Sequence, residues 1–454
     1  MGAGGWVVRR RAGVIARDRH APRREKIVQT RASRARCDVD VLIRNFVSPV
    51  PPLRDESLII CVSGNVTTGA RPELAPALSR TSRAAMAGRI PSTMRAAVVR
   101  AFGGPEVVRV AKDVPVPRLA PDEILVRVAA ASVSPLDARV RAGYARALYA
   151  PMLPLILGRD VSGEVVARGA DARSFQLGAQ VFGALSPVAP RGAHAEFVAV
   201  REAHVAPKPS AWTHAQAAAV PFAALTAWRA LFTDAGLKEN ERLLVHGLGS
   251  TVGGFAAQLA RARGAATAGS VGARSRRRVA ETATIADENL WTYDENSNSN
   301  SNANDRKNAR DDVPLRSLAA ASAHHRWEPF DVALDLVGDG EKRLARLLRR
   351  GRGRLVTAHG DLARLVGEKG VVRGAALAAA ELARKKVLFR VNEDVSYMWT
   401  VMRQDAEAMR RIGEHAEAGK LTPPPVVAAR LADAADAHRA AEAGETPGKI
   451  ILEP

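Results

Sequence analysis

Among residues able to do chemistry, one glycine-rich run comes first: Val245-His246-Gly247-Leu248-Gly249-Ser250-Thr251-Val252-Gly253. It follows the apolar stretch Leu243-Leu244-Val245 and opens Gly254-Phe255-Ala256-Ala257-Gln258-Leu259-Ala260. A chain that ends a strand, turns on residues without Cβ and restarts as a helix aims its first-turn amides at one point. That arrangement suits a pyrophosphate. The spacing is one residue longer than the common dinucleotide fingerprint, so the weight lies in the strand before it and the helix after it. After the next strand, sites that prefer NAD place an acid against the ribose 2′-hydroxyl. Here the chain reads Ser270-Val271-Gly272-Ala273-Arg274-Ser275-Arg276-Arg277-Arg278, with no acid. Arg and Ser donors welcome a 2′-phosphate that a carboxylate would repel, so the expected cofactor is NADPH.

Metal chemistry is not expected. A catalytic zinc needs three ligands from Cys, His or carboxylate. The two cysteines, Cys37 and Cys61, lie far upstream of the glycine turn, and the histidines show no ligand spacing. The one close pair, His324-His325, borders a polar tract and reads as exposed. Thr226 sits in an apolar helix entry, Pro221-Phe222-Ala223-Ala224-Leu225-Thr226-Ala227-Trp228. Its hydroxyl could hydrogen-bond a nicotinamide amide, but by spacing alone simple helix packing is the stronger reading.

The elements around these residues fall into two rhythms. Met94–Val99, Glu106–Val110, Glu123–Val128, Gly163–Arg168 and Glu196–Val200 are short apolar strands, with Gly103-Gly104-Pro105 as a hairpin turn. Strands at this density predict a compact, partly open β-barrel. After Pro221 strands alternate with helices: Arg242–Val245, Val252–Ala262, Ala265–Val271, Phe330–Leu336, a helix over Glu341–Arg350, and Gly353–Val356. Such alternation predicts a parallel sheet with crossover helices. Residues 294–312 form an Asn/Ser-rich insert that cannot bury a core and is expected to be a disordered loop.

Charge is unevenly placed. The 454 residues carry a net +20, and residues 1–93 hold 17 Lys and Arg against seven Asp and Glu. Residues 1–36 are Arg-rich and acid-poor, the composition of an organelle transit peptide. A second reading makes residues 1–93 an upstream extension of a chain that starts at Met86 or Met94. The destination is then mitochondrial or plastid in the first case and cytoplasmic in the second. No RNA-binding aromatic signature accompanies the basic charge, so no nucleic-acid partner is expected. No apolar run approaches the length needed to cross a bilayer.

The order of motifs resembles the medium-chain dehydrogenase/reductase superfamily, in its zinc-independent quinone oxidoreductase branch. The resemblance rests on Leu157-Gly158-Arg159-Asp160-Val161-Ser162-Gly163, the Pro221–Trp228 segment, the glycine turn and the terminal Pro447-Gly448-Lys449-Ile450-Ile451-Leu452. Within that branch it resembles the reticulon-interacting, mitochondrial-type oxidoreductases and their plant relatives. It implies an α/β fold: a GroES-like β-barrel catalytic domain at 94–225, a Rossmann doubly wound parallel sheet at 226–392, and a return to the catalytic domain at 393–454. A disordered leader at 1–93 would precede them. It also implies that Gly247, Gly249, Ser250, Thr251, Val252 and Gly253 cradle the pyrophosphate. Ser270, Gly272, Ala273, Arg274 and Ser275 would surround the 2′-phosphate. Thr226, Val337, Gly338, Ala358 and His359 would lie near the nicotinamide.

Zinc-dependent relatives carry Gly-His-Glu where this chain has Gly158-Arg159-Asp160, so a metal ligand is absent there. Ser134 stands where many relatives have Asn, and Arg139 where some have Tyr. Asn392–Trp399 matches the branch's aromatic segment only at Tyr397 and Trp399. The expected reaction is hydride transfer from NADPH to a quinone or an α,β-unsaturated carbonyl, with Tyr144, Arg139 or Tyr397 available to the developing oxyanion. A 2-enoyl thioester reductase is the alternative within enzymes, and a non-catalytic NADPH-binding scaffold the alternative outside them. A homodimer is compatible with all three.

Overall fold

The computed structural model describes residues 90–293, 328–338, 340–444, 446 and 448–454. The leader up to residue 89, the insert at 294–312 and His324-His325 lie outside the described residues.

The first half of the chain is β-rich. β1 (Thr93–Val99), β2 (Val108–Pro115), β3 (Glu123–Ser132), β4 (Leu155–Ile156) and β5 (Asp160–Arg168) are followed by β6 (Gln180–Ala184), β7 (Phe197–Arg201) and β8 (Val205–Pro207). β1 pairs antiparallel with both β2 and β4. Glu106 and Val107 were expected at the start of β2. They form a 3-10 turn instead, because Pro105 fixes φ in a turn-compatible range just inside the segment.

The second half alternates strand and helix. β9 (Arg242–His246), β10 (Ala266–Gly272), β11 (Leu290–Tyr293), β12 (Val332–Asp335), β13 (Arg354–Thr357) and β14 (Ser396–Trp399) make one parallel sheet. Its order is β11-β10-β9-β12-β13-β14. The chain starts in the middle, winds outward to β11, crosses back and winds the other way. The order therefore reverses between β9 and β12, the place where open α/β sheets leave a crevice. Leu243, Leu244, Val245, Val332, Ala333 and Leu334 are fully buried, as central strands covered on both faces require.

β14 completes this sheet beyond residue 392, where the sequence reading ended the domain. The return comes later, with β15 (Val426–Arg430) and β16 (Lys449–Glu453). These join the sheet β15-β16-β3-β5-β6-β8, with β7 pairing β3. The helix expected over Glu341–Arg350 stops at Arg346, and Leu348 bridges to Phe330. The 22-residue helix Val371–Asn392 has no counterpart in the sequence reading. Val372, Val387 and Val391 are exposed on it, so its sequence shows no clean apolar stripe.

One core spans the seam between the halves. Phe182 and Ala184 of β6 pack with Leu225, Leu243, Val245, Phe255, Leu334, Val356 and Met409.

Candidate active site

The glycine turn lies at the carboxyl end of β9, beside the sheet's point of reversal. Gly247 has φ +98°, a conformation that side-chain-bearing residues rarely adopt. A Cβ on Gly253 would lie 2.4 Å from the Gly247 carbonyl oxygen and 2.8 Å from Leu248 Cα. The glycine there lets the helix Thr251–Ala262 start directly against the turn. Ser250 caps that helix: its hydroxyl accepts from Gly253 N at 3.0 Å and donates to Gly247 O at 2.9 Å. Thr251 and Val252 occupy the first turn, where amides have no intrahelical acceptor, and both are partly exposed.

Ser270, expected at the 2′-phosphate, is turned inward. It is 1% exposed; its Oγ accepts from Gly247 N at 3.1 Å and lies 2.7 Å from His246 Nδ1. It braces the turn from the neighbouring strand. β10 then ends on Gly272, and the helix Ala273–Ala283 begins with Ala273 and Arg274 exposed and Ser275 half-buried. The arginines that follow diverge. Arg276 binds Asp287 and the Leu290 carbonyl. Arg277 pairs along its own helix with Glu281. Arg278 donates to the Gly249 carbonyl at 3.0 Å and reinforces the turn.

Across the crevice, Asp335 ends β12 fully buried. Its Oδ1 accepts from the amides of Val337 and Gly338, both at 3.0 Å, and its Oδ2 accepts from Thr357 Oγ1 at 3.3 Å. This one carboxylate shapes the Val337-Gly338 turn and ties it to β13. Thr357 Oγ1 in turn accepts from His359 N at 3.1 Å, and His359 Nε2 lies 2.9 Å from the Leu336 carbonyl. Ala358 and His359 are exposed on this rim. Gly338 has φ +106°, and a Cβ there would meet His359 Cγ at 2.7 Å. The sequence reading missed Asp335, although an Asp two and three residues before a Val-Gly pair is a recognisable turn former.

Thr226 is 8% exposed, and its hydroxyl donates to Phe222 O at 2.7 Å, leaving its lone pairs available to a donor. The helix carrying it, Pro221–Trp228, is anchored by Asp160. Asp160 Oδ1 accepts from Phe222 N at 2.6 Å, and its Oδ2 accepts from Ser132 Oγ at 2.5 Å and from Lys449 Nζ at 2.6 Å. Asp160 is fully buried and Lys449 nearly so. This pair binds the start of β5, the last strand and the Thr226 helix into one unit.

The three oxyanion candidates separate. Tyr144 is half-buried beside Arg139, which is exposed. Burial pushes the Tyr144 hydroxyl above the ordinary phenol range, with Arg139 pulling it down and Asp361 adding to the rise. Tyr397 lies elsewhere, on β14 at 2% exposure, stacked on Phe389. Its hydroxyl donates to Glu341 at 2.5 Å and accepts from Trp399 Nε1 at 2.7 Å. Burial and the Glu341 carboxylate raise it far above its usual range. The phenol is enclosed in its own network rather than presented to the crevice. Two residues the sequence reading did not select, Arg159 and Tyr149, are buried on the catalytic-domain side.

Residues 120–210 match the alcohol dehydrogenase GroES-like domain family, and residues 312–452 match the zinc-binding dehydrogenase family. The mitochondrial NAD(P)H oxidoreductase RTN4IP1 of Danio rerio is 30% identical over 380 residues, covering 80% of this chain and 91% of that protein. The chain belongs to the medium-chain dehydrogenase/reductase superfamily. The human quinone oxidoreductase is 36% identical over 187 residues, 41% of this chain and 55% of that protein. An alcohol dehydrogenase superfamily protein from Novosphingobium aromaticivorans superposes with a TM-score of 0.62 at 26% identity, covering 80% of this chain and all of that one. The protein is thus an oxidoreductase of that superfamily.

The matched family's name raises zinc, and the donor set can be tested against it. Among the described residues no group of three or more His, Cys, Asp or Glu is placed to hold a metal ion. At the Gly158-Arg159-Asp160 position the side chain is itself a cation. These residues do not fit zinc. A nicotinamide dinucleotide does fit: the glycine turn offers a Cβ-free cradle at the carboxyl end of β9.

Proposed function

We propose that this medium-chain oxidoreductase uses NADPH to reduce a quinone or an α,β-unsaturated carbonyl, without a metal ion. The observation that carries the reading is the end of β10. It stops on Gly272 where an NAD-preferring site would hold an acid, and Arg274 and Ser275 open the next helix. A doubly charged 2′-phosphate gains charge-assisted hydrogen bonds there and meets no repelling carboxylate. The names of the relatives, an NAD(P)H oxidoreductase and a quinone oxidoreductase, support the same class of reaction.

When bound, the cofactor supplies hydride from its nicotinamide ring. The chain's own residues bind and orient. The first-turn amides of Thr251 and Val252 would take the pyrophosphate. Thr226 Oγ1 would accept from the nicotinamide amide, and Val337-Gly338 with Ala358-His359 would wall that ring from water. Relatives whose names call them mitochondrial favour a targeting role for residues 1–93.

Fluorescence titration of the purified protein with NADPH and NADH should give at least about tenfold tighter binding of NADPH, the worth of one or two charge-assisted bonds. NADPH should then be oxidised by a quinone or an enone and left untouched by an enoyl-CoA. If neither dinucleotide raises the melting temperature, the enzyme reading is lost. Turnover of enoyl-CoA alone would replace it with a thioester reductase.

A further inference from the structure

The catalytic-domain side of the seam holds a buried cation whose donors are left open. Arg159 lies just before β5 and is 1% exposed. Its Nη1 donates to the Ala189 carbonyl at 2.8 Å. Its Nε and Nη2, equally buried, have no hydrogen-bond partner among the described residues. The carboxylate whose field reaches it, Asp137, is committed elsewhere. Asp137 accepts from Gly158 N at 2.8 Å, Ser134 N at 2.8 Å and Ser134 Oγ at 2.6 Å. Asp160, the next residue, is held by Ser132, Phe222 and Lys449. Tyr149, 3% exposed, lies within the field of Arg159, and its hydroxyl donates to Pro187 O at 2.8 Å. The phenol lone pairs stay open on the side not facing that carbonyl.

A guanidinium has five N–H donors, and taking it out of water with donors unanswered is strongly unfavourable. A site that keeps such a group is built for an oxygen that arrives later. Asp137 offsets the charge of Arg159, so the pair suits an oxygen that is neutral at first and becomes negative during reaction, better than a permanent anion. Arg159 is also adjacent in sequence to Asp160, which docks the helix bearing Thr226.

We infer that Arg159 is a catalytic residue that receives the carbonyl oxygen of the hydride acceptor. This rests on the reductase reading proposed above. A hydride forming a C–H bond at the acceptor carbon displaces the conjugated π electrons onto that oxygen. Those two electrons are the pair that the cofactor of the proposed reaction gives up with the hydride, and the oxyanion later takes one proton from solvent. Nε–H and Nη2–H of Arg159 hold the oxygen while its charge develops.

Arg159→Met keeps the bulk of the stem and removes the donors. It should lower kcat/KM for the acceptor by about 10²-fold or more, as losing an oxyanion donor does. NADPH affinity should stay within about twofold, because the pyrophosphate and ribose seats are elsewhere. The melting temperature should hold or rise, since an apolar side chain replaces an unpaired buried charge. Arg159→Lys should recover only part of the rate, because one ammonium cannot reproduce the planar fork.

A second measurement needs no turnover. 4-Nitrophenol, followed by the visible absorbance of its phenolate, should bind the cofactor-free protein and ionise there at lower pH than in solution. Arg159→Met should abolish that binding. Absence of phenolate binding by the unsubstituted protein, or equal binding by the variant, overturns the inference. Unchanged kcat/KM in Arg159→Met removes the Arg159 seat and leaves the reductase reading intact. Arg159-dependent phenolate binding without any NADPH oxidation supports the seat and removes that reading.

Discussion

The two sides of the crevice are built by different means. On the Rossmann side, backbone does the holding, and the polar side chains near it, Ser250, Ser270, Asp335 and Thr357, are spent on shaping turns. On the catalytic-domain side, buried charges do the holding: Asp160 with Lys449, Asp137 with Ser134 and Gly158, and Arg159 with most of its donors open. A backbone cradle suits a ligand present in every turnover. Buried charge suits groups whose own charge changes during reaction, since a low-dielectric setting strengthens each interaction.

The comparison breaks most visibly at Gly253. Gly253→Val places a Cβ 2.4 Å from the Gly247 oxygen. Dinucleotide affinity should fall by about two orders of magnitude, the scale of a lost helix-terminus anion seat. Titration alongside circular dichroism checks it, and retained affinity in a folded variant would move the pyrophosphate elsewhere.

On the charged side, Asp160→Ala leaves Lys449 buried without its partner. Denaturant unfolding should show a loss of about 3–5 kcal/mol; the double variant Asp160→Leu, Lys449→Met should recover the part due to the unpaired ammonium but not the lost bonds from Phe222 and Ser132. A loss below 1 kcal/mol would mean that this pair does not tie the strands together.

His438 tests the same side through pH. It is fully buried with neither ring nitrogen hydrogen-bonded among the described residues, and burial, helped by the fields of His194 and Arg141, holds it down to about 3. The unfolded chain takes that proton near pH 6.5, while the folded chain refuses it until about 3. Stability from this group is therefore full above pH 6.5 and falls with acidification through that window, by at most about 1.4 kcal/mol per pH unit. His438→Gln should flatten the difference between pH 6 and pH 4 in unfolding experiments. An unchanged acid limb would show that His438 is accessible to protons in the fold.

The smallest effects separate a seat from a diffuse basic field. Arg274→Ala should weaken NADPH by about tenfold, the scale of one hydrogen bond to a charged group, and leave NADH unchanged. Arg277→Ala should alter neither, because its exposed guanidinium is engaged with Glu281. Equal losses in both variants would replace the local 2′-phosphate seat with a general field.

Legibility in the sequence follows the same division. The glycine turn, the acid-free end of β10 and the strand–helix alternation are visible because each requirement is met within about a dozen consecutive residues. A Cβ-free turn must be written as glycine, and a parallel sheet must alternate its elements. The long helix Val371–Asn392 was not visible, because few of its side chains are buried and its pattern carries no face.

The charged side could not be read in advance. Tyr397 and Ser270 look like site residues in sequence, yet one is enclosed by Glu341 and Trp399 and the other braces Gly247. Arg159 is visible in sequence only as a residue standing where relatives carry a metal ligand, with nothing to say that it is buried. Asp160 and Lys449 are 289 positions apart. Sequence alone determined the glycine turn between a strand and a helix, because backbone conformation is a local property. Which charges are buried, and which of their donors stay open, was decided only where strands distant in the chain meet. Desolvation depends on everything packed around a group and on nothing in its immediate neighbours along the chain.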